Sequence, residues 1–401
     1  MAVLLAASTL LYPMAASQQM LEFVTMNWHW ILLSVIVLTV LVIALLAKPV
    51  QVWFRVTAFI LDLAASYKRN AKVIPRSILI SEVTYGCGSR DVVVDLYRPD
   101  SRGRHSGLVL AHGAIKDGKN DQALRFAGQS LARAGYVVLV PQLDNLCKFR
   151  LHQDDIDVLV ASFQYLATQE FSNGKIGMLG VCISAPLVLL AATEPGVSRD
   201  LAVVSSWGGF YNINDWLQAV ITKHYIDNDE LKPWKPRPVL MEETPKWLIE
   251  LLPNTSDRAC LEKMLSGKSA APVKDNLSSS GRAMYELLAN REPERVVDLW
   301  ARLDPKIRHT LNNLSPHTKI DKLKTKIAII HTFTDDVIPW VESCKLANAI
   351  EDSHKVYFRV FEQFYHVSIE DLLKARISNL HNVISEAVQL YLYMYSILYR
   401  L

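Results

Sequence analysis

"GMLGVCISAPLVLL" (Gly177–Leu190) sets one apolar run, ending at Val181, against a second that begins near Pro186, with Cys182 at the join. Carried back to Lys175, the first run has the length and composition of a buried strand. The second reads as a helix opened by Pro186, a residue suited to a first helical turn. Between them Gly180-Val181-Cys182-Ile183-Ser184 has the spacing of a strand–turn–helix elbow with cysteine at its apex. Residues two before and two after such an apex lie where strand and helix crowd together, so they must be small. Gly180 meets that need, and Ser184 stands where glycine is commoner. At the apex the thiol faces a helix N-terminus, whose dipole favours thiolate. The main-chain N–H of Ile183 is then aimed at an oxyanion. Cysteine is also among the most buried residue types, so the elbow alone leaves a structural role open.

Outward from the elbow, apolar β-rich runs alternate with helical patterns, the mark of a sheet with crossover helices. "SILISEVTY" (77–85) and "DVVVDLYRP" (91–99), separated by "GCGSR", read as a hairpin. "GLVLAHG" (107–113), "YVVLVP" (136–141), "KIGMLGV" (175–181) and "LAVVSSW" (201–207) read as buried strands with helices between them. Residues 208–318 hold no convincing strand run. They carry prolines, tryptophans and helical segments such as "GRAMYELLANREPERVVDLWARL" (281–303). The alternation resumes with "TKIAIIHTF" (325–333), "ESCKLANAIE" (342–351), "KVYFRVF" (355–361) and a long Tyr-rich C-terminal helix. The fold class expected is α/β, a doubly wound and mostly parallel sheet split as residues 77–207 and 319–401, with a helical cap insertion at 208–318. An unstructured loop of that length is implausible, and insertions there sit over the strand ends where such sheets bind ligands.

Two later stretches supply partners for the thiol. "HTFTDDVIPW" (331–340) places an acid after a late strand, three residues before an apolar-Pro pair, which favours Asp335 over its neighbour Asp336. "FEQFYHVSIEDLL" (361–373) presents His366 after the last strand and just before a helix. The chain order nucleophile, acid, base is that of α/β-hydrolases. From about Ser77 onward the chain resembles that superfamily. Its elbow, "LYRPDSRGRHSGLVLAHGA" and "LARAGYVVLVPQL" resemble the dienelactone-hydrolase group, whose members use cysteine. The resemblance implies Cys182 as nucleophile, His366 as general base and Asp335 as its orienting acid. It implies an oxyanion hole from the N–H groups of Ile183 and Ala114, on a supporting loop formed by His112 and Gly113. It covers neither the N-terminus nor the insertion. Cysteine elbows also occur in acyltransferases, and a silent hydrolase fold serving as a binding scaffold is the non-enzymatic alternative. The activity expected is cleavage of an ester, lactone or thioester carrying a hydrophobic acyl group. Trp216, Trp234, Trp247 and Trp300 are expected to form the cap's core or line an acyl pocket.

Five unevenly spread cysteines argue against a disulfide framework, and no zinc-ligand spacing is present, so neither metal nor cofactor is expected. A net charge of +3 gives no basic stripe for a nucleic-acid partner. Half the residues are hydrophobic, and the excess is local: Val24–Ala47 holds no charge. As a helix, Trp28–Ala47 spans about 30 Å, enough to cross a bilayer core. Residues 1–27 are therefore expected as an apolar N-terminal segment, 28–48 as a single transmembrane helix and 49–76 as an amphipathic linker, with 50–66 able to lie along the interface. Residues 1–27 contain no Lys or Arg, whereas Lys48, Arg55, Lys68, Arg69, Lys72 and Arg76 follow the span. That asymmetry puts the C-terminal bulk in the cytoplasm.

Overall fold

The computed structural model of the chain describes residues 29–30, 32–40, 42–43, 47–69, 71–265, 276–362 and 380–401. Met1–Phe54 and Arg55–Leu401 form separate compact units. In the first, residues 32–40 are helical and their apolar side chains, Leu33 and Val37 among them, are exposed. The expected transmembrane span 28–48 includes positions outside the described residues, as does segment 1–27. No helix among the described residues is long and apolar enough to cross a membrane.

In the second unit the buried runs pair into one eight-stranded sheet. Its strands are β1 (Ile78–Cys87), β2 (Arg90–Pro99), β3 (His105–Ala111), β4 (Val137–Pro141), β5 (Ser172–Val181), β6 (Leu201–Trp207), β9 (Lys326–Thr332) and β10 (Lys355–Phe361). β7 (His224–Asp227) and β8 (Glu230–Pro233) pair with each other elsewhere. The order across the sheet is β1-β2-β4-β3-β5-β6-β9-β10. β1 and β2 form an antiparallel hairpin closed by Gly88-Ser89, with Gly88 in the left-handed region that such a tight turn requires. β2 joins β4 antiparallel, and every later pairing is parallel. Strands covered on both faces read as unbroken apolar runs; Val137 to Val140 of β4 are wholly buried.

The crossover helices include α2 (Gln122–Arg133), α3 (Gln153–Thr168) and α4 (Ser184–Thr193). Every residue of α4 is buried, because it lies between β5, β6 and α3 and so has no polar side to present. Helix α1 (Lys48–Arg69) occupies most of the segment expected as an amphipathic linker. From Arg55 onward its stripe of Val56, Phe59 and Leu63 is buried in the protein. Beside that stripe the buried Asp62 accepts from Ser130 Oγ at 2.7 Å and from Arg133 Nη1 of α2 at 2.7 Å.

The insertion is not wholly helical, contrary to expectation. Between α5 (Ile213–Thr222) and α6 (Pro238–Glu250) lies the β7–β8 hairpin, whose turn residues Asn228 and Asp229 both have positive φ. Its four-residue strands, neither of which has a buried residue, are too short to leave an alternating pattern. The expected segment 281–303 is two helices, α8 (Ser279–Ala289) and α9 (Val296–Arg302), which follow α7 (Thr255–Leu265). Pro293 divides them by holding Glu292 in an extended conformation. α10 (Pro305–Asn313) leads back to β9, and α11 (Val341–Ala349) connects β9 to β10. The Tyr-rich helix α12 (Leu380–Leu398) packs on β6, β9 and β10, with the hydroxyl of buried Tyr393 bonded to Ser205 Oγ.

Candidate active site

Cys182 occupies the bend between β5 and α4 with φ +57°, a left-handed conformation that a non-glycine residue rarely adopts and that neighbours must enforce. The enforcing contacts are on both sides. Its N–H donates to Trp207 O of β6 at 2.7 Å, and its carbonyl accepts from Ala185 N at 3.0 Å. A Cβ on Gly180 would lie 2.6 Å from Ala185 Cα, so glycine is obligatory at that crossing. Ser184 explains its own departure from glycine. Its fully buried hydroxyl accepts from Val181 N at 3.0 Å and lies 3.1 Å from Ala111 O, stitching the elbow to β3. Cys182 itself is half-buried.

The loop after β3 closes on the thiol. A Cβ on Gly113 would stand 3.5 Å from Cys182 Cβ. His112 braces this loop: Leu143 N donates to its Nε2 at 3.0 Å, so the proton sits on Nδ1, which donates to Gly113 O at 2.7 Å. Burial holds its pKa below the ordinary histidine value and keeps it neutral. Among the described residues the main-chain N–H groups of Ile183 and Ala114 donate to no acceptor. Lys119, which sequence reasoning passed over, anchors the far end of the loop. Its ammonium reaches Asp95 Oδ1 at 2.5 Å and Glu82 Oε2 at 2.8 Å, and its N–H donates to Gln142 Oε1 at 3.0 Å.

Asp335 lies just beyond β9 and is buried. Its Oδ1 accepts from Val337 N at 2.7 Å and Ile338 N at 3.0 Å. Its Oδ2 stands 3.5 Å from Nε2 of His331, a wholly buried residue that also escaped sequence reasoning. His331 Nε2–H donates to Ile338 O at 3.0 Å, and its Nδ1 pairs with Ser343 Oγ at 2.7 Å, so it props the acid's loop from beneath. Asp336 is committed elsewhere: Arg237 of the insertion grips its carboxylate with two hydrogen bonds, of 2.7 and 3.2 Å. The two candidate acids therefore have different surroundings. A Cβ on Gly208 would stand 3.4 Å from Asp335 Oδ2, and the preceding residue, Trp207, receives the Cys182 N–H. The end of β6 thus carries the elbow on one side and the acid on the other. His366 lies outside the described residues.

The other thiols have no such setting. Burial pushes the Cys344 thiol up to about 11 and raises that of Cys147. Among the described residues no group of His, Cys, Asp and Glu is arranged to hold a metal ion. A cavity of about 520 Å³ bounded by Arg98, Arg102, His105 and Phe171 opens where β3 and β5 begin, at the opposite end of β5 from Cys182.

An elbow after the fifth strand of a sheet ordered in this way, with an acid beyond a later strand, is the layout of an α/β-hydrolase. The sequence profile of the X-Pro dipeptidyl-peptidase (S15) family matches residues 88–367, well over half of the chain. The chain belongs to that family. The S15 match spans Cys182, Asp335 and His366 together; it supports the α/β-hydrolase superfamily but not the dienelactone-hydrolase group in particular. A comparison with curated proteins gives no match. Among solved structures, this S15 chain is similar to an acylaminoacyl peptidase from Pyrococcus horikoshii (12% identity, TM-score 0.45), covering 73% of this chain but only 38% of that one. A puromycin-hydrolyzing peptidase of Mycobacterium tuberculosis matches at 12% identity and TM-score 0.48, over 82% and 41% of the two chains. Brefeldin A esterase, a bacterial homologue of human hormone sensitive lipase, matches at 14% and 0.46, over 88% and 87%.

Proposed function

We propose that this protein hydrolyses esters, lactones or thioesters of hydrophobic acyl groups through a covalent intermediate on Cys182. The Cys182 thiolate adds to the acyl carbonyl, its proton having passed to His366. The leaving oxygen or sulfur departs with that proton as the new thioester forms. Water, deprotonated by His366, then attacks the thioester, and the thiol is regenerated. Asp335 orients the imidazole and stabilises its charged form. Ile183 and Ala114 offer their N–H groups to the oxyanion.

The observation that carries this reading is the φ of +57° at Cys182, held between a strand and a helix with the Gly113 loop against its Cβ. The family is one of serine-type hydrolases, yet the elbow's serine cannot serve in its place. Ser184 is fully buried and its hydroxyl is spent on Val181 and Ala111. Residues 28–48 would anchor the enzyme in a membrane with the hydrolase in the cytoplasm. The support is the uncharged run and the Lys and Arg that follow it.

Full-length protein assayed on p-nitrophenyl butyrate, a butyryl thioester and an Ala-Pro p-nitroanilide tests both chemistry and substrate class. The proposal expects turnover of the first two, none with Cys182→Ala, and residual esterase activity with Cys182→Ser. Preference for the X-Pro anilide would move the assignment to peptide substrates. Undiminished activity in Cys182→Ala would refute the nucleophile.

A further inference from the structure

The insertion grips three successive residues of the acid loop. Trp234 Nε1–H donates to Asp335 O at 2.9 Å. Arg237 donates its main-chain N–H to Asp336 O at 2.7 Å, in addition to its paired hydrogen bonds to the Asp336 carboxylate. Trp216 Nε1–H donates to Val337 O at 2.9 Å, within the buried interior. The same stretch of main chain supplies the Val337 and Ile338 N–H groups that fix Asp335 Oδ1. Trp234 is delivered by the small hairpin, directly after β8, and its own N–H donates to Lys223 O at 2.7 Å.

A carboxylate held by main-chain N–H groups points wherever that main chain is set. In this loop the peptide orientation is fixed by His331 from beneath and by the insertion from above. We propose that Trp234, Arg237 and Trp216 are positioning residues for Asp335, so that seating of the insertion sets the orientation of the triad's acid and, through His366, the ionisation of Cys182. This rests on the triad described under Proposed function. Among the described residues, the charged and titratable groups seen near Asp335 are His331 from β9 and, through Asp336, Arg237 from the insertion.

Alkylation by iodoacetamide, with each thiol's rate followed by mass spectrometry from pH 5 to 10, reads the Cys182 thiolate without a substrate. Full-length wild type is compared with Trp234→Phe, which keeps an aromatic ring but loses the indole N–H, and with Arg237→Gln. Thermal midpoints are recorded in parallel. The expected result is a Cys182 profile displaced to higher pH in both variants, with the rate at pH 6.5 lowered about tenfold. Arg237→Lys, which retains the charge without the fork, should recover part of that loss. A purely structural role would lower the midpoint and leave the profile in place, and unchanged profiles in both variants overturn the proposal. If wild-type Cys182 reacts no faster than the other four thiols, the triad itself fails and the positioning role falls with it.

Discussion

Replacing Gly180 with alanine tests whether the elbow is the rigid element on which the site depends. The added methyl would lie 2.6 Å from Ala185 Cα, 2.9 Å from Ala185 N and 3.0 Å from Ser184 O. Carbon atoms ordinarily approach to about 3.5–4.0 Å, so the overlap to be relieved is about 1 Å. All three atoms are backbone, and no rotamer change can relieve them. The strand side is held by Ser184 Oγ on Val181 N, and the bend by Cys182 N on Trp207 O. Relief must therefore come from moving the first turn of α4 away from β5, which carries Cys182 with it. Overpacking of a dense core costs about 1–3 kcal/mol, and a rigid backbone contact belongs at or above the top of that range. A reacting group misplaced by about 1 Å loses about 10²-fold in rate. Urea unfolding followed by tryptophan fluorescence, together with Cys182 alkylation, measures both quantities. Gly86→Ala is the control, because a Cβ there meets nothing within 4 Å. If Gly180→Ala unfolds and alkylates like wild type, the elbow is not what holds the thiol.

Two further perturbations address the acid and helix α1. Asp335→Asn should lower turnover of p-nitrophenyl butyrate on the order of 10⁴-fold by presenting the wrong hydrogen-bonding face to the base, whereas Asp336→Asn, which only weakens the Arg237 grip, should cost about tenfold or less. Equal losses would remove the distinction drawn between them. For Asp62, burial opposes ionisation, but hydrogen bonds from Ile74 N, Ser130, Arg133 and Val73 N outweigh it and hold its pKa below the usual carboxylate value. A folded-state pKa depressed in this way gives stability that is complete above about pH 4, the unfolded value, and is lost as pH falls through the lower folded value. Asp62→Ala, which strands the Arg133 charge, should cost about 3–5 kcal/mol at pH 7. The difference from wild type should shrink below pH 4 in urea titrations, and a pH-independent difference would contradict the ionic account.

The inner strands β3, β4 and β9 were readable because each is covered on both faces and so prints an unbroken apolar run, as in "YVVLVP" for β4. Their order could be expected only through the superfamily resemblance, since β4 lies between β2 and β3 by long-range pairing that no local pattern encodes. Helix α1 shows what a helical period leaves open. The segment reads as amphipathic, but an apolar stripe such as Val56, Phe59 and Leu63 does not say whether lipid or protein will cover it. Asp62, on the apolar side of that helix, was the available sign, because a carboxylate in such a place needs a buried cation, and Arg133 supplies it.

At the site, legibility follows the same division between local and distant causes. The elbow could be read because Gly180, Cys182 and Ser184 are constrained by one strand–helix crossing within five residues. Asp335 was placed by its spacing to Pro339, a local turn, and Asp336 is separated from it by Arg237, a hundred residues away along the chain. The four-residue strands of the β7–β8 hairpin left no periodicity, yet that hairpin is what brings Trp234 to Asp335. Indole N–H groups bonded to carbonyls have no signature in sequence, because any tryptophan can donate and every residue has a carbonyl. Trp216 and Trp234 therefore read as generic apolar bulk, for which a pocket lining or a cap core would do equally well. Their rings do pack apolar surface, as the stacking of Trp216 on Phe210 at 5.2 Å shows. Their nitrogens, however, face the acid loop, and an insertion that served only to shed water would have no need to spend two indole donors and an arginine fork on three consecutive residues beside the acid.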